Sequence, residues 1–353
     1  MSDKRLKLDM NSNNPSPAAV CRVPITLCRR RQPIEIGTQH ALEQTLLALG
    51  QHVKIVPDGP IQLDPTGVVW IQSNANWFPK VCRQLAACPP RTRPLVVHWF
   101  SEPLPPPRVA GLPRPRLHLK EIAKILMRDP RMTDVYSNAS RLRSLASSGL
   151  LDLLVVSTPA RREFLAEHGV AAHYAPLGYD RSQYGYDLGL ERTRDVIFLG
   201  AMVPRRQKVL RRLARAGINI EQKGSWFDPE CWGENRTRFL NQTKIFLNIA
   251  RYPGELPGAR LILGMANKCL VVSEPIYDPG PYVPGEHFIA CSIDEMPDMI
   301  RYYLEHSQER QKIIDAGHRL VTETVTLERS VRKVLRLVDE KIRQRAQTGK
   351  PAM

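Results

Sequence analysis

Two stretches of this chain set guanidinium groups and unpartnered backbone amides where an anion could be held. The first, Gly200-Ala-Met-Val-Pro204-Arg205-Arg206-Gln-Lys208, follows an apolar run, Asp195 to Gly200, and leads into a helix rich in Leu and Arg. A strand, a glycine turn and a helix start suit a diphosphate: Arg205 and Arg206 offer planar paired donors and Lys208 a point charge. A solvated basic helix end fits the same residues. The second stretch begins at Glu255, where Pro257 and Gly258 open a short helix bearing Arg260 that ends near Asn267-Lys268. The apolar run Cys269 to Val272 then reads as a buried parallel strand ending in Ser273-Glu274. Free N–H groups at the helix start and the strand-end residues together make a candidate phosphate site. Glu255 also suits a helix N-terminal carboxylate, worth about 0.3–1 kcal/mol against the macrodipole, and Arg260 could pair with Glu255 or Glu274 in place of a phosphate.

Three further groups carry chemistry. Lys223-Gly224-Ser225-Trp226-Phe227 ends another strand; Gly224 lets backbone approach a base edge and Trp226 can cover the ring face, although a tryptophan there equally serves domain packing. Val97-His98-Trp99-Phe100-Ser101-Glu102 ends a strand of the first half, where His98 and Glu102 could act as base and orienting group for an acceptor hydroxyl. A structural histidine is the commoner role at such a position. Arg29 to Arg31, followed by Gly37, could meet donor or acceptor across a cleft, with a solvated charge cluster as the competing reading. There is no zinc-ligand spacing, no Walker loop and no Asp-x-Asp pair, so the chemistry expected is metal-independent and cofactor-free.

The elements that must position these residues follow a strand–helix rhythm. Strands are expected at Val23 to Cys28, His52 to Val56, Val68 to Ile71, Leu95 to Trp99 and Leu151 to Val156, with helices at Thr38 to Leu49, Trp77 to Leu85 and Pro159 to His168. This is the pattern of a parallel sheet with crossover helices. Pro103 to Pro115, with six prolines in thirteen residues, reads as an extended lid or acceptor-side loop. A second alternating series starts at Asp195, after a Tyr- and Gly-rich connection. The expected division is a disordered leader over 1–19, a first domain over 20–186, a second over 187–343 and a frayed tail over 344–353. Ser292 and Glu295 form a capping box, and Thr326 can cap a last helix with Leu327, Val331, Val334, Leu335, Val338 and Ile342 on one side.

Arg260 to Met265, Cys269 to Val272 and Pro284-Gly285-Glu286-His287-Phe288, followed by Ile300-Arg-Tyr-Tyr-Leu304, resemble the nucleotide-binding half of the spore-maturation-protein-like (CgeB-type) GT-B glycosyltransferases. The resemblance runs over about residues 190 to 337. It implies an α/β fold of two Rossmann-like domains facing a cleft, with a terminal helix crossing back to the first, and transfer of a sugar from a nucleotide-activated donor. By the same resemblance Arg205 or Arg206 would contact the donor phosphates, and the Gly224–Trp226 loop would lie near the base. Retaining GT-B enzymes often carry two glutamates here, one near the donor sugar and one on the ribose. The chain keeps Glu255 but has Leu263 at the second position, which leaves the stereochemistry open and makes Glu274 the candidate substitute.

Composition bounds the rest. At 353 residues, with 42% apolar and 24% charged residues, two folded domains are expected, and no run approaches the roughly 18 apolar residues of a membrane span. Seven scattered cysteines and an N-terminus without an apolar core fit a cytoplasmic protein. The net charge of +16 favours anionic partners: a nucleotide sugar first, a glycan, lipid or protein acceptor beside it, and peripheral contact with an anionic membrane. Nucleic acid is disfavoured, since aromatics are only 7% and do not interleave with the basic residues. The competing function is a GT-B-like binding protein that has lost turnover.

Overall fold

The structure, a computed structural model, describes residues 22–29, 38–109, 111–127, 135–224, 231–252 and 258–348. The leader, the basic loop beyond Arg29, Trp226, Glu255 and Pro257 lie outside these residues.

Six parallel strands form the first sheet: β1 (Pro24–Cys28), β2 (His52–Val56), β3 (Val68–Gln72), β4 (Leu95–Phe100), β5 (Leu153–Val156) and β6 (His173–Tyr174), in the order β2-β1-β3-β4-β5-β6. Their crossovers hold α1 (Thr38–Ala48), α2 (Pro79–Ala87), α3 (Leu119–Met127), α4 (Val135–Ser147) and α5 (Pro159–Ala166). A short helix, α6 (Arg181–Tyr184), lies in the connection to the second sheet. That sheet has the order β11-β10-β9-β7-β8, from β7 (Arg194–Leu199), β8 (Glu221–Lys223), β9 (Thr243–Asn248), β10 (Leu270–Ser273) and β11 (Ile289–Ala290). Its helices are α7 (Pro204–Arg215), α8 (Gly233–Asn241), α9 (Gly258–Ala266), α10 (Met296–Glu305) and α11 (Ser307–Arg319), before the long α12 (Leu327–Thr348).

Both sheets are covered on both faces, which is why their strands read as unbroken apolar runs. In β3, Val68 and Trp70 turn toward α1 and α12, while Val69 and Ile71 turn toward α2. In the second sheet, Ile197 and Phe246 pack on α8 and α9, and Phe198 and Leu247 on α7, α10 and α11. The helix α12 leaves the second sheet and buries Leu327, Val331, Val334, Leu335 and Val338 in the core of the first. No helix among the described residues is long and apolar enough to cross a membrane.

Because every strand is parallel, each sheet gathers its carboxyl ends on one rim, the place where open α/β sheets bind ligands. The two rims are brought together by side chains that span the domains. Tyr277 donates to Glu163 Oε2 at 2.8 Å, and Tyr174 Oη to the Gly280 carbonyl at 3.4 Å.

Candidate active site

On the rim of the second sheet, Arg260 in the first turn of α9 reaches back over the strand ends. Its Nε donates to Asn248 Oδ1 at 3.1 Å, its Nη2 to the Leu247 carbonyl at 2.7 Å and its Nη1 to the Leu199 carbonyl. The guanidinium lies 4.9 Å from the ring centroids of both Phe198 and Phe246, a favourable seat for a cation. No carboxylate among the described residues pairs with it. Burial, and secondarily the neighbouring Arg206 cation, push its pKa down to about 9, so its charge is held at a cost that an anion would relieve.

The glycine turns above it are shaped by contact. A Cβ on Gly200 would stand 2.8 Å from Arg260 Nη1, and one on Gly224 would meet the Gly200 carbonyl oxygen at 2.3 Å. Both residues hold positive φ, 147° and 153°, where a side chain is strained. The ends of β7 and β8 therefore close over the guanidinium backbone to backbone, with Gly200 N donating to the Lys223 carbonyl at 2.9 Å.

A polar chain continues across the rim. Asn248 Nδ2 donates to Ser273 Oγ at 2.9 Å, and Ser273 Oγ donates to the Glu274 carbonyl at 2.7 Å. The Glu274 carboxylate receives both Nη groups of Arg205, one at 2.9 Å, and the Ala250 amide at 3.0 Å. Arg206 donates to the carbonyls of Ile249 and Ala201 at 2.9 and 3.0 Å. Of the expected donor-site residues, Arg205, Arg206, Gly224, Arg260, Ser273 and Glu274 are thus brought together, Gly258 opens α9 beside them, and Lys208 stands apart on the exposed side of α7. Two of them are not the free groups the sequence suggests. Arg205 and Glu274 neutralise each other, so Glu274 has both oxygens engaged before any ribose arrives.

The first domain faces this rim across a cavity of about 200 Å³. Ser101, Pro103, Ser157, Thr158, Tyr174 and Leu177 line one side, and Gly258, Ala259, Ile262 and Tyr282 the other. Burial raises the Tyr174 and Tyr282 phenols well above their ordinary pKa, which keeps both hydroxyls protonated, that of Tyr174 being given to the Gly280 carbonyl. A larger hollow of about 760 Å³ lies on the outer flank between α4, the start of β5 and Lys341, away from both rims. Volume is the weaker guide here, since the smaller cavity is the one between the strand ends.

His98 does not stand where a base for an acceptor hydroxyl is expected. It is 1% exposed in the middle of the first sheet, and its Nε2 faces the Ser73 carbonyl at 2.8 Å, which makes Nε2–H the donor. Among the described residues Nδ1 has no partner, so a second proton would bring an unpaired charge into the interior, and burial holds the pKa down at about 4. This histidine is a structural donor, out of reach of an acceptor. Its neighbour Glu102 does lie on the rim, half-buried, with Ser73 Oγ donating to its Oε1 at 2.6 Å. Ser73 holds φ 72°, a conformation an L-residue adopts at a cost of order 1 kcal/mol. Sequence reasoning missed Ser73 and Asn248; a polar residue ending an apolar run was the available signal for Asn248, and none marked Ser73.

Residues 205–336, the stretch that contains this guanidinium rim, match the family described as Glycosyl transferase-like. The fold is GT-B. Sucrose-phosphate synthase from Thermosynechococcus elongatus superposes with a TM-score of 0.58 at 13% identity, over 90% of this chain and 99% of that one. HepE from Anabaena, in complex with UDP-glucose, gives 0.56 at 10% identity over 90% and 100%. TarM gives 0.55 at 14% identity over 85% of this chain, which spans 58% of TarM. No curated protein matches by sequence.

Proposed function

We propose that this protein transfers a sugar from a nucleoside diphosphate donor, held on the rim of the second sheet, to an acceptor presented by the first domain. The observation that carries the reading is Arg260: a cation seated between two rings, with no carboxylate partner among the described residues, under a glycine turn and at a helix start. The diphosphate would complete that site, and as it departs with its charge Arg260, Arg206 and the first N–H groups of α9 would stabilise it without a metal. The UDP-glucose held by HepE supports a nucleotide sugar as donor. Glu102, held by Ser73, is the acceptor-side carboxylate of this reading, and Glu255 remains its donor-side carboxylate. The sequence resemblance of Pro284 to Phe288 supports a place beside the CgeB-type enzymes, and the scattered cysteines a cytoplasmic one.

The test is calorimetric titration with UDP, GDP and ADP, followed by turnover of a panel of nucleotide sugars. Specific binding of one nucleotide, weakened about tenfold or more by Arg206→Ala, is expected. Absence of binding by all three sinks the proposal. A second reading, a GT-B-like binder without turnover, is favoured by Leu263, 8% exposed on α9 where a ribose-holding glutamate would stand. Binding without hydrolysis or transfer of any donor would select it.

A further inference from the structure

Among the described residues, five of the eight exposed large apolar side chains fall between Leu117 and Met127; Leu119, Leu126 and Met127 are 85%, 78% and 72% exposed. They belong to α3 and the turn before it, and α3 is turned inside out. Its carboxylate, Glu121, points inward, accepting the Tyr136 and Ser137 amides at 2.7 and 3.2 Å where α4 begins. Leu119, Ile122 and Leu126, spaced three and four apart, form an outward stripe. Such a concentration of apolar surface marks an interaction site.

Charge says what covers it. From Arg108 to Met127 the sequence holds five Lys or Arg against one carboxylate, Glu121, which is turned away from solvent; of the five, Arg114 lies 3.8 Å from Glu167 of α5. Arg116 and His118 stand exposed beside Leu117 and Leu119. Two copies of a chain of charge +16 joined through this face would press cationic rims together. An anionic bilayer satisfies both features, with apolar side chains in the headgroup–acyl boundary and cations at the phosphates. We propose that α3 and the Arg116–Leu119 turn form a docking surface for an anionic lipid membrane. Its place in the fold sets the cleft beside the bilayer. Asn138 Nδ2 of α4 donates to the carbonyl of Pro103, a cavity residue, at 3.0 Å, and Tyr136 Oη to the Pro115 carbonyl at 2.7 Å. The inference stands apart from sugar transfer and does not rest on it.

Flotation of the full-length protein with phosphatidylcholine vesicles, with and without about 30% phosphatidylglycerol, tests it. Binding to the anionic vesicles, falling with added salt, is expected. The double variant Leu119→Glu/Leu126→Glu should lose about tenfold or more of the partition coefficient, while keeping its melting temperature because both side chains already stand in water. Leu47→Glu, at an exposed leucine of α1, should bind vesicles as the parent does. No binding to anionic vesicles, undiminished binding by the double variant, or a dimer that the double variant dissolves without vesicle binding would each overturn the proposal. Nucleotide titration of the same proteins keeps the outcome separate from donor binding.

Discussion

Arg260 keeps its charge between two phenylalanine rings with no described carboxylate in reach, whereas Arg205, on the same rim, lies across Glu274. The pKa of about 9 sets a window for the first of these. A diphosphate binds the charged form, so affinity should fall as pH rises through about 9, and the Arg260→Met protein should lack that break; titration across pH 7–10 checks both. His98 makes the opposite kind of prediction, about stability. Its folded pKa of about 4 lies below its unfolded value near 6.5, so the unfolded chain takes the proton first. The stability that a neutral His98 contributes is therefore fully present above pH 6.5 and is lost as pH drops through about 4, on the order of 3 kcal/mol for this group. Urea midpoints of His98→Gln should show a shallower loss over that range.

At the scale of elements, the rim depends on how closely α9 lies on its sheet. A Cβ on Gly264 would stand 2.5 Å from Val271 Cγ2 and 2.9 Å from Phe246 Cδ1, so Gly264→Ala should cost about 1–3 kcal/mol by denaturant unfolding. Because Phe246 also seats Arg260, nucleotide binding should weaken with it. The short-range signals for such elements were legible. Ser292 and Glu295 exchange the capping-box bonds that their spacing predicts, at 3.0 and 3.2 Å, and Thr326 Oγ1 accepts the Arg329 amide at 3.2 Å. The helices α3 and α4 were not legible. Periodicity assigns the apolar stripe of a helix to the core, and among the described side chains of α3 the buried one is Glu121 while the leucines face out.

At the scale of the molecule, the chain crosses between the domains twice, and the crossings run side by side. Tyr179 N donates to the Val325 carbonyl at 2.6 Å and Leu327 N to the Tyr179 carbonyl at 2.8 Å. A Cβ on Gly178 would fall 2.5 Å from Thr326. Past this point α12 completes the first core, so the first domain needs the far end of the chain to fold. Leu335→Ala should then cost about 2–5 kcal/mol, seen as earlier unfolding of the first domain, for instance by fluorescence of the buried pair Trp70 and Trp99.

The sequence alone determined the two parallel sheets, since strands buried on both faces must be apolar throughout and parallel strands need crossovers. It also placed arginines and glycines at the strand ends, because the strand–glycine–helix order fixes them there. Tertiary structure decided what those side chains do. Only the order β11-β10-β9-β7-β8 sets Glu274 beside Arg205 and leaves Arg260 without a described counter-charge. Only the packing of the first sheet seals His98, because alternation along β4 tells which face a residue takes but not which helices cover it. Partner choice among charged groups distant in sequence is a property of the assembled rim.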